Sequence, residues 1–542
     1  MIINDCFKIR NLILAATLGI GLTLVNHATA QRRVLPDLVV TDLTGPTTII
    51  HTRGVEIRIP IEFVVKNRST TPAPSFETGI QYNYNSETPS VAPFNAFPEF
   101  GPRKLGPRIL GAPEPPLMFK GTVRVPSRLN EVIFLRVIAD YCPIPVRPKG
   151  CRVAESNETN NKSEPISTYI CKPGPLPPSN LVQGISDLGP LPEGMPIAWP
   201  TPPSIPSRRD VIIDSGNFQD SYAGSDKSGT RFLFQDNIDE PVSVDASDVE
   251  IVIMPGFKLR NIELVGPVHR VKITGGGEVG RIRATMANTP ETAIATNEDS
   301  GYITDVLIDG ITLNNSQEDP LCETDGNDCD GVTFRGVRRG AVINSTISSL
   351  VYPMAAWNPL STPPIAAQNK DIIIANNRLH SKGYTRDDST PVSEATVRMH
   401  DSVNTVTVHN RLQNGSSDSA GGKHNYRIHG HPSKGGASYA YAACNLFVNT
   451  GAMIGEGGYD PAPPHEDVRH YWFNSNLFYQ RADSLYQMGL TPDVAVHDAE
   501  TRGNRAYSNL HTRFYSPDNR PADWIIRDNV VKRYGDDVRP PD

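Results

Sequence analysis

Two short segments carry the residue types from which an acid–base site is built. One reads Val397-Arg398-Met399-His400-Asp401, the other Tyr426-Arg427-Ile428-His429-Gly430. In an extended chain successive side chains point to opposite faces. Val397, Met399, Tyr426 and Ile428 would then face inward, with Arg398, His400, Arg427 and His429 outward. Were the two segments neighbouring strands in register, Arg would lie beside Arg and His beside His, about 5 Å apart. Like charges placed opposite each other are destabilising, so such a grid calls for an anion. A uronic-acid polymer supplies one carboxylate per acidic sugar. β-Elimination needs that carboxylate neutralised, because the adjacent C–H is otherwise a very weak acid. Arg398 or Arg427 would neutralise it through a bidentate contact, and His400, His429 or Lys423 would take the C5 proton.

Several neighbours would hold the substrate. The loop GGKHNYRIHGHPSKGG adds His424, His431 and Lys434, and its glycines let backbone approach a ligand closely. Asp401 follows His400 directly. Ala452-Met453-Ile454-Gly455-Glu456 would continue the row and bring in Glu456. Val496-His497-Asp498 repeats the His-Asp pair and would bring in His497. The plain alternative is a solvated ladder in which Arg and His pair with Asp401 and Glu394. Hydrolysis would need two carboxylates across a groove. Asp401, Glu456, Asp460 and Asp498 are available, but no tight Asp–Asp pair is evident, so elimination ranks first.

A second candidate is the acidic run QEDPLCETDGNDCDG. A Cys322–Cys329 staple would gather the oxygens of Glu323, Asp325, Asp328 and Asp330, and calcium takes six to eight oxygen ligands. The spacing is not that of an EF-hand, and the alternative is a solvated acidic loop.

The elements that must position these residues recur along the chain. VLIDGITL (Gly310), AVINSTI (Ser345), IIIANNRL (Asn377), VTVHNRL (Asn410), AACNLF (Asn445), FNSNLF (Asn476), AYSNLH (Asn509) and IIRDNVV (Asn529) share one pattern. Their anchors mostly lie 31 to 35 residues apart, and the last interval is 20. A period of this size marks a solenoid. β-Branched runs with Gly and Asn, and no helical stripe, select a β-solenoid whose coils bury their apolar faces only by stacking. Asn in left-handed geometry would make the sharp corner, and the repeated amides would form a ladder. Residues 209–535 thus resemble the pectate-lyase-like, right-handed parallel β-helix superfamily. That resemblance implies action on, or binding of, polysaccharide, as lyase, hydrolase, epimerase or surface glycan-binding protein. The calcium-ligand and arginine signatures of true pectate lyases are missing, as are the lysine and arginine motifs of β-helix alginate and chondroitin lyases. No particular substrate is therefore inherited.

Residues 31–171 form a different unit. Leu38-Val39-Val40, Val55 to Val65, Met118 to Val125 and Val132 to Ala139 read as strands of an antiparallel sandwich. Pro36-Asp37-Leu38-Val39-Val40, Glu62-Phe63-Val64-Val65-Lys66-Asn67 and the closing Ala154-Glu155-Ser156-Asn157-Glu158-Thr159-Asn160-Asn161 make it similar to the CARDB domain, an immunoglobulin-like module of bacterial surface and secreted proteins. An insertion around residues 85–115, and Cys142 with Cys151, depart from that family. The resemblance implies an accessory or adhesion-type role. Residues 172–208, dense in proline, read as an extended, semi-rigid spacer between the two bodies.

Composition sets the remaining bounds. Lys8 and Arg10, an apolar run from Asn11 to Val25 and Ala28-Thr29-Ala30 make residues 1–30 a cleavable export signal. Without it no segment is long enough to span a bilayer, and the protein is expected outside the cell or on its surface. Export permits disulfides. Cys6 leaves with the signal; Cys142/Cys151 and Cys322/Cys329 bracket short loops, while Cys171 and Cys444 are left over. A net charge of −7 argues against nucleic acid. The expectation is an all-β protein: an immunoglobulin-like β-sandwich joined by a Pro-rich linker to a right-handed parallel β-helix. It would be monomeric, act on an acidic polysaccharide, and need no cofactor besides calcium at the acidic loop.

Overall fold

Alternation of apolar and polar residues builds both bodies. The computed structural model describes residues 35–46, 48–50, 56–76, 78–84, 103–105, 117–129, 131–139, 161–171, 197–201, 203, 209–286, 301–315, 330–357, 368–385, 391–415, 422–430, 436–454, 466–480, 488–490, 494–508 and 524–532. In the strand Glu56–Asn67, Ile57, Ile59, Ile61, Phe63 and Val65 are all buried, and the residues between them face out for most of its length. That strand pairs antiparallel with Leu38–Thr44 on one side and Leu117–Pro126 on the other. A four-stranded sheet, in which Glu131–Ala139 pairs with Thr78–Tyr84 and Ile166–Cys171, closes the sandwich over the same apolar core.

From Arg209 the chain coils into a parallel β-helix. Its first face is a sheet running from Arg209–Ile213 to Ile525–Arg527, each strand paired in parallel with that of the next coil. The early coils have one long second strand, such as Glu278–Thr285. That strand forks: Glu278 pairs with Thr312 while Ile282 pairs with Val332. From there the wall is two faces, a second through Thr346–Ser349, Arg378–Ser381 and Arg411–Asn414, and a third through Met354–Trp357, Pro391–His400 and Gly422–His429. Inward residues such as Ile374, Leu379, Met399 and Ile428 fill one continuous core. Each such side chain, fully buried, contributes about 1.5–3 kcal/mol.

The corner between the first two faces differs from expectation by one residue. Left-handed backbone falls on Asn344, Asn376, His409, Cys444, Ser475, Gly503 and Asp528. The residue after each turns its side chain into the corner. Asn377, Asn410, Asn445 and Asn476 each donate from Nδ2 to Oδ1 of the amide one coil on, at 3.0 Å, and Asn504 does so to Asn529 at 2.8 Å. The ladder thus runs through Asn504 rather than Asn509, which lies outside the described residues. The reason is that the last coils shorten: the ladder steps are 31, 28 and 25 residues from Asn445 onward.

The two bodies are joined directly. Cys171, at the end of the last sandwich strand, is disulfide-bonded to Cys444 at a helix corner. Around the bond, Val132, Phe134 and Tyr169 of the sandwich pack on Leu446, Leu477, Tyr479 and Tyr507 of the helix. The Tyr169 hydroxyl donates to the Ser475 carbonyl at 3.0 Å. Of the Pro-rich stretch, residues 197–201 and 203 are described; they lie on the first face, where Ile197 joins Ile343, Ile373 and Val406, and the Thr201 amide donates to Asp305 Oδ1 at 3.0 Å. Residues 1–34, which include the expected export signal, lie outside the described residues, as do Cys142, Cys151, Cys322 and Cys329. Among the described residues no helix is long and apolar enough to cross a membrane.

Candidate functional site

The third face holds the residues singled out above. Val397 pairs with Tyr426, Arg398 with Arg427, Met399 with Ile428 and His400 with His429. Val397, Met399, Tyr426 and Ile428 are in the core, so the other four project outward. Register extends both outward columns to earlier coils. Arg283, Thr333, Ala355, Arg398 and Arg427 form one, continued by Met453. Thr285, Arg335 and Trp357 lead into the other, which goes on to His400 and His429.

The outward row is not a solvated ladder. Arg398 is 7% exposed, His400 9%, Arg427 5% and His429 0%. Burial at this depth demands partners, and Arg398 finds its own within the cluster. Arg398 Nε donates to His429 Nε2 at 3.0 Å, and Arg398 Nη1 donates to the Tyr352 hydroxyl. The guanidinium lies 4.5 Å from the Trp357 ring centroid and 5.1 Å from that of Tyr352, a cation–π arrangement on both. Ala355, in the coil before, leaves the room that Arg398 uses. The His400 and His429 rings stack at 4.2 Å with 9° between planes. His400 Nε2 lies 3.1 Å from Oδ2 of the fully buried Asp401, a residue whose own backbone is left-handed.

The Arg398 contact assigns a proton position. The Nε–H of arginine only donates, so His429 Nε2 accepts and the ring proton sits on Nδ1. Asp401 Oδ2 faces His400 Nε2 at ion-pair distance, so its carboxylate would stabilise that ring when protonated.

Other candidate residues fall elsewhere. His424 shares the alternation of inward-facing Tyr426 and Ile428, aligns with Ala395 and is buried, so it is not on the Arg/His row. Lys423 lies on the strand Gly422–His429 in the alternation of Arg427 and His429, but its side chain is outside the described residues. His431, Lys434 and Glu456 are also outside them. His497 is not on this face. It pairs with Arg469 on the first face and is exposed, because the strand Val494–His497 joins that sheet despite its His-Asp pair.

Glu323, Asp325 and Asp328 lie outside the described residues; Asp330 is within them. It is fully buried, its Oδ2 accepts from Thr333 Oγ1 at 3.1 Å, and burial pushes its carboxyl up to about 7, against the opposing pull of Arg335, Arg283 and Arg398. That neighbourhood makes Asp330 part of the arginine-rich site. Among the described residues no three His, Cys, Asp or Glu side chains gather as a metal site. Tyr352 and Trp357 are the residues that sequence reasoning missed. The signal was there in Met354-Ala355-Ala356-Trp357, an alternating segment one coil before Arg398, but four residues without Arg or His gave no reason to align it.

A sandwich fixed to a parallel β-helix, with a buried Arg–His–Tyr–Trp–Asp cluster on the third face, defines the architecture. No family model matches the chain, and no curated relative does. Two solved structures of the CARDB domain of a Pyrococcus furiosus protein are similar to the N-terminal body. The crystal structure, in complex with di-metal ions, is 20% identical, covers 26% of this chain and 96% of its own, and gives a TM-score of 0.16. The solution structure is 17% identical, covers 26% and 97%, and gives 0.17. The A-module of the Azotobacter vinelandii mannuronan C-5 epimerase AlgE6 is similar to the larger part: 10% identical, 60% of this chain, 89% of its own, TM-score 0.30. Likeness at this level carries no activity, metal or substrate across to this chain.

Proposed function

We propose that this chain binds an acidic, uronate-containing polysaccharide and cleaves it by β-elimination at the third face. The observation that carries the reading is the stacked pair of coils in which Arg398 and Arg427 adjoin His400 and His429, with Asp401 behind His400. Arg427 neutralises the sugar carboxylate. His400 takes the C5 proton while Asp401, at ion-pair distance, stabilises the imidazolium that forms. As the C4–C5 double bond forms, the C4–O bond breaks, and the departing oxygen takes the proton of the Tyr352 hydroxyl. That hydroxyl accepts from Arg398 and so keeps its own proton to give. Both protons then exchange with solvent, which returns the two side chains to their starting states. Lys423 is the alternative base, on the same alternation.

The test is absorbance of the unsaturated uronate on pectate, alginate and glycosaminoglycans. A rise on one of them, lost in Arg427→Ala, is expected. Reducing ends without unsaturated product would turn the reading to hydrolysis. Binding without turnover on any of them would turn it to a glycan-presenting surface protein, a role favoured by the rigid attachment of the sandwich through Cys171–Cys444. That disulfide also fits an oxidising, extracellular location. Calcium at Glu323, Asp325, Asp328 and Asp330 belongs to the same proposal, and a melting temperature that rises with added calcium tests it.

A further inference from the structure

A cleft of about 690 Å³ opens where the sandwich meets the second face of the helix. Its sandwich wall includes Thr44, Pro46 and Pro60, and its helix wall Thr346, Asn376 and Arg378. This is a different face from that of Arg398 and Arg427.

Charge is unbalanced there. On the sandwich wall Lys120 and Glu62 pair with each other. On the helix wall Arg378 projects outward between Thr346 of the coil before and Arg411 of the coil after. Its side chain has no hydrogen-bond or ion-pair partner among the described residues. Arg411 beside it donates to Ser167 Oγ at 3.1 Å and Gln413 Oε1 at 3.2 Å. Burial lowers the pKa of Arg378, as expected for a cation withdrawn from water without an opposing charge. A partly buried guanidinium facing a cleft is satisfied by an anion, and its fork matches a carboxylate. The rest of the lining suits a sugar. Asn376 and Thr346 offer amide and hydroxyl groups to ring hydroxyls, and Pro46 and Pro60 offer apolar surface to a C–H face.

We infer that this cleft is a second binding site for a carboxylated oligosaccharide, formed jointly by the sandwich and the helix, with Arg378 as the carboxylate anchor. The choice of a uronate rests on the proposed function; the site itself does not need turnover. A joint site gives the sandwich a task, since without it the cleft has one wall.

Hydrogen–deuterium exchange locates the ligand. The probes are hexamers of galacturonate and of mannuronate, with a galactose hexamer as the neutral control. Protection of segments 44–46, 60–62, 344–346 and 376–378 by a uronate hexamer and not by galactose is expected. Arg378→Gln should weaken that protection about tenfold in ligand concentration, as expected for loss of one charged hydrogen bond, while Arg427→Gln leaves it intact. Release of unsaturated product from a short substrate should be unchanged in Arg378→Gln. Protection confined to strands of the third face overturns the inference and leaves the proposed function standing. Protection of the cleft without unsaturated product upholds the inference and removes the lyase step. Protection that persists in Arg378→Gln, or that neither uronate hexamer produces, overturns the inference.

Discussion

Arg398 reaches across one coil to His429, with Nε 3.0 Å from Nε2, while its Nη1 contacts Tyr352 of the coil before. One guanidinium therefore ties three coils together at the centre of the site. This makes it a positioning residue, whereas Arg427 is the carboxylate clamp. A lysine keeps the charge but is a single point donor on a flexible stem. Arg398→Lys should lower kcat by about tenfold to a hundredfold with KM little changed, since binding loses nothing directly. Arg427→Lys should instead raise KM. Steady-state kinetics on the responsive polymer separates the two, and equal effects on both parameters in both variants would remove the division of roles.

Asp401 is the carboxylate that faces His400, with Oδ2 3.1 Å from Nε2. Its left-handed backbone, φ 50°, is tolerated by asparagine as well as by aspartate, so Asp401→Asn should fold. The neutral amide cannot stabilise the imidazolium as the carboxylate does. The expected loss in kcat is about 10²-fold or more, the share a general base supplies. Unchanged turnover in a variant that melts normally would assign the base to Lys423.

The alternation in 397–401 and 426–430 was legible because two adjacent coils carry the same residue types at the same positions, so register could be found by matching them. Trp357 was not, since its four-residue strand with two alanines matches nothing, and Tyr352 lies ahead of that strand. Asp330 was placed with the acidic loop because sequence distance groups it with Asp328, while in space it sits under Thr333 and near three arginines. His497 shows the converse, a matching dipeptide whose strand joins another sheet. The 33-residue habit of the middle coils hid Asn504, and cysteine spacing carries no information on a bond that links residues 273 positions apart.

Two buried groups give opposite pH dependences. Burial pushes the Asp330 carboxyl up to about 7 in the folded protein, against 3.8 for the free group. The raised acid binds its proton more tightly when folded, so its stabilisation is present below 3.8 and is lost as pH rises through about 7, a range of about 4 kcal/mol. His409 is fully buried, and burial lowers it to about 4 from 6.5. Its contribution is present above 6.5 and is lost as pH falls through about 4, about 3 kcal/mol. Asp330→Asn should flatten the decline in stability between pH 4 and 7. His409 occupies the left-handed corner position that asparagine holds at 344 and 376, so His409→Asn should flatten the loss on the acid side. Urea unfolding from pH 4 to 8 measures both slopes, and a variant slope equal to that of the parent discards the assignment.

The amide ladder should be most sensitive in its middle. Asn445 Oδ1 accepts from both the backbone N and the Nδ2 of Asn410, and its own Nδ2 donates to Asn476 Oδ1 and the Thr407 carbonyl. Asn445→Ala strips partners from buried groups on two neighbouring coils, at a cost of about 2–4 kcal/mol. Asn529 is the last rung and part-buried, with fewer contacts to lose. Asn529→Ala should cost well under half as much. Comparable losses in chemical unfolding at the two positions would show that the rungs stabilise their own coils and not their neighbours.

The disulfide between Cys171 and Cys444 separates two accounts of how the sandwich stays on the helix. The apolar patch around it, from Tyr169 to Tyr479, is fully buried and would hold the bodies together without a covalent bond. The bond adds a restraint on the unfolded chain of about 2–4 kcal/mol. Cys171→Ser with Cys444→Ser should therefore unfold at lower denaturant while small-angle scattering of the native protein remains that of the parent. If the patch alone is too weak, scattering will show the sandwich released. In that case binding at the cleft containing Arg378 should fall with it, because that site needs both walls, while turnover at the third face continues.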